Sequence, residues 1–209
     1  MSRQSKITTA LSMGLLLALP YTVFSASDAG ETVTKRGLVD DDYYAAGGTV
    51  DIDADIAGDL VVSGGDLFIG KMIRGDVMAA GGVVNIRGNI LDDVRTAGGE
   101  ITIDATIGDD LIAAGGEIRI SSGTTVGGEA WLAGGDVLIA GTIHNNVLIG
   151  AGNVRIAGTI HGDVTVEGGE IHILDGALIK GNLFYKSPNE VDVHPSGKIT
   201  GTVTYEEVE

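Results

Sequence analysis

DVMAAGGVVNIRGNILD, residues 76–92, runs directly into DVRTAGGEITIDATIGD, residues 93–109. The two stretches agree at the leading Asp, at the Gly pair five places on, and at Val77/Val94, Val84/Ile101, Ile86/Ile103 and Ile90/Ile107, so the repeat length is 17. The unit extends backward to Asp59 and Asp42 and forward to Asp110, Glu129, Asn146 and Asp163, with two extra residues in the units that start at Asp110 and Asp163. A degenerate ninth unit starts at Asn182, and a tenth starts at Thr202 and stops. Within each unit apolar and polar residues alternate in short bursts, which is the period of a strand rather than a helix. The column Ile52, Ile69, Ile86, Ile103, Ile120, Ile139, Ile156, Ile173 repeats one residue type without a break. Such a column forms when equivalent positions stack, and short units stacked at about 4.8 Å make a parallel β-helix. The expected fold is therefore all-β, a single-domain parallel solenoid of about nine 17-residue turns over residues 42–209. Five inward columns are expected, represented in one unit by Val77, Ala79, Val84, Ile86 and Ile90.

Composition excludes the main competitors. Gly supplies 34 of 209 residues, more than double the usual share of about 7%, and each Gly inside a helix costs roughly 0.5–1 kcal/mol relative to Ala. A helical bundle is thereby ruled out. Disorder is ruled out by 44% apolar residues and a mean hydropathy of +0.25, and collagen by only 3 Pro and no Gly at every third place. The pairs Gly47-Gly48, Gly64-Gly65, Gly81-Gly82, Gly98-Gly99, Gly115-Gly116, Gly134-Gly135 and Gly168-Gly169 mark a corner that needs either positive φ or close approach between turns. Ser187-Pro188 lacks the pair, so regular coiling is expected to end or distort there. A net charge of −16 argues against nucleic acid as the main partner.

Residues 1–26 read as an export signal: Arg3 and Lys6 precede an apolar run from Ala10 to Leu19, then come Pro20 and the small residues Ser25-Ala26-Ser27. The alternative is an uncleaved inner-membrane anchor through residues 7–26. Removal of the segment takes away Arg3 and Lys6 alone among charged residues, moving the charge from −16 to −18. Residues 27–41 are expected to form a tail or cap. Absence of Cys leaves stability to packing.

The sharpest polar feature is the column Asp42, Asp59, Asp76, Asp93, Asp110, Glu129, Asn146, Asp163, Asn182. Two readings compete: a ladder of carboxylates for calcium, and corner side chains that accept backbone N–H groups while keeping the rod soluble. His144 and His161 share a position in successive units and are expected as an exposed pair, short of the three or four ligands a defined metal site uses. No catalytic residue, metal ligand or cofactor site is assigned, and the chain is read as no enzyme. The aromatics Tyr43, Tyr44, Phe184, Tyr185 and Tyr205 cluster toward the two ends, where they either cap the core or form end-to-end contacts.

Units of the form GDVxAAGGxVxIxGxI, as in Gly75 to Ile90, resemble the bactofilins, a polymer-forming cytoskeletal family of bacteria, over roughly residues 42–205. That resemblance implies a right-handed β-helix whose rods join end to end into filaments without a nucleotide. It further implies a scaffold that serves cell shape and holds other envelope proteins or the membrane. Combined with the export segment, it points to a structural protein of the periplasm or cell surface. The alternative is an exported β-helix that binds calcium or a cell-surface polysaccharide through its acidic face.

Overall fold

The computed structural model describes residues 26–208, and every regular element in that range is a β-strand. All strand pairs are parallel and join coil to coil, giving a solenoid of about eleven turns. The register is the sequence repeat made physical: Ile86 pairs with Ile103, Ile103 with Ile120, and Ile120 with Ile139. Each coil contributes one long strand, such as Val94–Ile103, and from the fourth coil a two-residue strand, such as Thr106–Ile107. In Val94–Ile103 the inward residues are Val94, Thr96, Ile101 and Ile103. The alternation slips phase between Thr96 and Ile101, so the chain turns its corner at Gly98-Gly99 and the strand lines two sides of the coil. The short strand lines the third side.

The five expected columns face the interior; Val77, Ala79, Val84, Ile86 and Ile90 are all buried, as is the whole Ile52-to-Ile173 column. They form one contiguous apolar core along the rod.

Of the two reasons offered for the Gly pairs, close approach is the one that applies. Among the described residues only Gly37 and Gly176 have positive φ, at 89° and 72°, and neither belongs to a pair. A Cβ on Gly115 would lie 2.7 Å from the carbonyl oxygen of Gly98 one coil below, and a Cβ on Gly134 equally close to that of Gly115. The two-residue insertions become tight turns at Ser122-Gly123 and Asp175-Gly176. Register is regained at once, since Thr106-Ile107 still pairs with Thr125-Val126.

The solenoid is longer than nine turns, with a whole further coil at its N-terminal end. Ala26–Val39 is a further coil, paired with Tyr43–Ile56 from Ala26↔Tyr43 to Val39↔Ile56, so the stretch expected as a tail or cap over residues 27–41 is largely strand. At the other end Val203–Glu207 begins a last coil on Leu183–Ser187. Coiling is distorted at Ser187-Pro188 and continues beyond it: the Ser187 hydroxyl donates to the carbonyl of Gly169 at 2.7 Å, and Asp192-Val193 pairs with His172-Ile173. Residues 1–25, which carry most of the expected signal or anchor, lie outside the described residues. No helix among those described is long and apolar enough to cross a membrane.

Candidate functional site: the acidic corner and the two ends

The acidic column forms a ladder of side-chain to backbone hydrogen bonds. Oδ1 of Asp42 accepts the N–H of Asp59 at 2.8 Å, Asp59 that of Asp76 at 2.9 Å, Asp76 that of Asp93 at 3.2 Å, Asp93 that of Asp110 at 2.9 Å, and Asp110 that of Glu129 at 2.7 Å. Asn146 accepts from Asp163, Asp163 from Asn182 and Asn182 from Thr202 at 2.7–2.9 Å. One rung differs. The longer Glu129 side chain turns to the Asn146 amide at 3.1 Å and the Trp131 indole at 3.3 Å rather than to the backbone of the next coil. A corner carboxylate that takes a backbone donor behaves as the structural reading requires.

The ladder itself does not use the outer oxygens, and at three coils a second acid, Asp41, Asp92 or Asp109, precedes the column. Carboxylate oxygens of Asp76, Asp92 and Asp93 lie within 4.8 Å of one another, as do those of Asp93, Asp109 and Asp110. This crowding holds the Asp92 carboxyl above the ordinary aspartate value, chiefly through the charge of Asp76, then some desolvation, then Asp93, Asp109 and Asp59. Arg95 relieves part of it: Nη1 meets Oδ2 of Asp76 at 2.8 Å and Nη2 meets Oδ2 of Asp93 at 2.7 Å. Hard cations favour such oxygen groups, and here a guanidinium already bridges the two rungs.

His144 and His161 are neighbours as expected, with ring centroids 4.8 Å apart. Lys180 Nζ lies 3.4 Å from Nε2 of His161. Partial desolvation, then the charges of Lys180 and His144, push the His161 imidazole below its ordinary value. The other histidines stand elsewhere. His194 gathers with Ser196 and Asp175, a grouping the sequence spacing hides because Asp175 lies in the previous coil. All three contacts of His194 to this group use Nδ1, which also accepts the Ser196 N–H, and the Ser196 hydroxyl donates directly to Asp175. The cluster ties one turn to the next, with the Gly176 N–H donating to Ser196 Oγ, and sets up no relay from nucleophile through base to acid.

The two ends of the rod differ. In the first coil two inward columns carry charge: Asp28 stands over Ala45 and Lys35 over Ile52. Tyr43 OH donates to Asp28 Oδ2 at 2.6 Å, Lys35 Nζ lies 3.9 Å from the same oxygen, and the ammonium sits 4.8 Å from the Tyr43 ring centroid. Burial first, then the Asp28 hydrogen bond and charge, push the Tyr43 phenol well above its ordinary value. These three residues cover the apolar core with a polar lid. Both terminal strands leave one edge without a neighbour among the described residues, Ala26–Val39 here and Val203–Glu207 at the other end. Val193 and Val203 are 40% and 46% exposed there.

The five end aromatics fall into different roles. Tyr43 is fully buried and belongs to the lid, and Tyr185 is buried beneath Tyr205, their rings stacked at 4.8 Å and 16°. Tyr44 is exposed, and Phe184 and Tyr205 are half-buried. Asp28 and Lys35 have no counterpart in the sequence reading, although their 17-residue offset from Ala45 and Ile52 carried the signal. No family model, curated protein or solved structure matches the chain.

Proposed function

We propose that the chain is a non-enzymatic structural protein of the bacterial cell envelope, a rod that joins copies of itself end to end as a bactofilin-like scaffold. The observation that carries this reading is the open C-terminal end. Val203–Glu207 offers unpaired backbone groups beside the exposed Val193 and Val203, and such an edge recruits another strand. Export follows from residues 1–26, with anchoring through residues 7–26 as the alternative; mass spectrometry of the native N-terminus separates a start near Ala26 from an intact Met1.

Electron microscopy and sedimentation of the purified protein test the assembly. Rods that lengthen with concentration, and that Val203→Lys shortens, are expected. Monodisperse single-length rods at high concentration, with and without salt, would sink the proposal.

A second reading, calcium held along the acidic corner, draws on the two carboxylate groups around Asp93. A cation there would compete with Arg95 for the outer oxygens of Asp76 and Asp93. Calorimetric titration without heat at millimolar calcium removes it. A polysaccharide on the same face is the remaining form of that reading, and glycan-array binding checks it.

A further inference from the structure

Between the acidic corner and the Gly-Gly corner lies a face unlike the rest of the rod. Its outward column, in coil-to-coil register, contains Tyr44, Val61, Met78, Arg95, Ile112, Trp131 and Leu148. Met78, Trp131 and Leu148 are 46%, 52% and 44% exposed. Beside it, two residues along each strand, runs a column of small side chains, from Ala46 through Ala80, Ala114 and Ala133 to Gly150. Arg95 is the one charged residue in these two columns over the seven coils, and its guanidinium is drawn sideways onto Asp76 and Asp93. On the neighbouring face the equivalent outward columns carry Asp51, Asp66, Glu100, Glu117, Arg119, Asp136 and Arg155. In a chain with 29 acidic residues, this apolar band is spared.

We propose that this face packs against the same face of a second copy, the two rods lying side by side and parallel, related by a two-fold axis along their length. Seven coils at about 4.8 Å by five residues at about 3.3 Å give a patch of about 34 by 16 Å. Two copies then bury about 1,100 Å², just above the roughly 1,000 Å² that a biological interface should clear. Two complementarities select the parallel arrangement. An axis along the rods exchanges left and right across the interface, so each large column seats on the partner's small column, Trp131 opposite Ala133 of the partner subunit. The same operation keeps the two acidic ladders at opposite edges of the interface instead of against one another. Antiparallel rods would press large column on large column and acidic ladder on acidic ladder along the whole length, where like charges repel.

The pairing uses a surface separate from the rod ends, so its failure and that of end-to-end joining are distinguishable. Light scattering coupled to size exclusion, on the full chain carrying Val203→Lys to suppress end contacts, is expected to give twice the 21.3 kDa chain mass. Leu148→Glu or Trp131→Glu, both on the surface, are expected to return that mass to one chain without changing the circular dichroism spectrum. The chain has no Cys, so copies carrying Trp131→Cys mixed with copies carrying Ala133→Cys are expected to give linked pairs with a short bismaleimide in greater yield than either variant alone. A single-chain mass at every concentration, or a doubled mass that both Glu variants leave intact, overturns the proposal and leaves the face to a different partner. Linking that is no better in the mixture overturns the parallel geometry.

Discussion

Oδ1 of Asn146 accepts the backbone N–H of Asp163 at 2.9 Å, the same bond that six aspartates make to the next coil. A neutral amide serves the corner as well as a carboxylate does. The hydrogen bond is therefore the structural element, and the charge is dispensable at that position.

Asp59 tests this distinction. Asp59→Ala removes the acceptor for the Asp76 N–H and is expected to cost about 1 kcal/mol, or roughly 2–4 °C in Tm for a chain of this size. Asp59→Asn keeps the acceptor and is expected to stay within about 0.5 kcal/mol of the parent. Thermal denaturation of the three proteins checks both, and equal losses for Ala and Asn would show that charge matters after all.

Glu129 is the rung that does not reach the backbone of the next coil. Glu129→Asp shortens the side chain to the length that Asp110 and Asp163 use. It gives up contacts to Asn146 and Trp131 that are exposed. A net gain of about 0.5 kcal/mol is expected, read as a raised denaturation midpoint; a lowered one would mean that the exposed contacts outweigh the missing rung.

Asp92 carries the pH dependence of the acidic corner. Its folded pKa lies above the ordinary 3.8 because Asp76, desolvation and further neighbouring acids oppose ionisation. The folded state thus binds its proton more readily than the unfolded state, and stability falls as pH rises from about 3.8 through the raised value. Asp92→Asn removes that loss. The variant is expected to melt higher than the parent at pH 7 in low salt, with the difference vanishing at pH 3 and shrinking as salt screens the corner. A difference that persists at pH 3 would contradict the electrostatic cause.

The lid offers the complementary experiment. Lys35 stands where the next coil has Ile52, and Asp28 where it has Ala45. Lys35→Ile with Asp28→Ala continues both apolar columns to the open end. The variant is expected to associate through its N-terminal end, scattering more light at equal concentration, while Tyr43→Phe alone costs about 1 kcal/mol by losing the bond to Asp28. The folded state retains the phenolic proton of Tyr43 to higher pH than the unfolded chain does, so stability from this group is lost only as pH rises above the ordinary tyrosine value of 10. The Phe variant lacks that alkaline decline.

What was legible in the sequence was whatever repeats. The Ile52-to-Ile173 column, the Gly pairs and the corner acids recur at fixed offsets, and a parallel stack follows from them because equal residues must lie above one another. The first coil escaped notice for the opposite reason: a terminal coil that covers the core replaces Ile with Lys35 and Ala with Asp28, which erases the pattern used to find coils. The stripe of Tyr44, Met78, Trp131 and Leu148 was hidden differently. Its members share apolar character but not identity, and only the register reveals that they point outward side by side. The Ser196, His194 and Asp175 cluster depended on how many residues the last regular coil spends on its turns, which no repeat specified.

The contrast between the lidded first coil and the short last strand gives the rod a direction of disassembly. Each coil is held only by the one before and the one after, so loss of structure begins where a coil has a single neighbour. At Ala26–Val39 that neighbour is backed by an ion pair, a buried phenol and thirteen paired residues. At Val203–Glu207 it is backed by five. Fraying therefore starts at the C-terminal coil and travels inward one coil at a time, and any partner that seals that edge stabilises the whole length behind it.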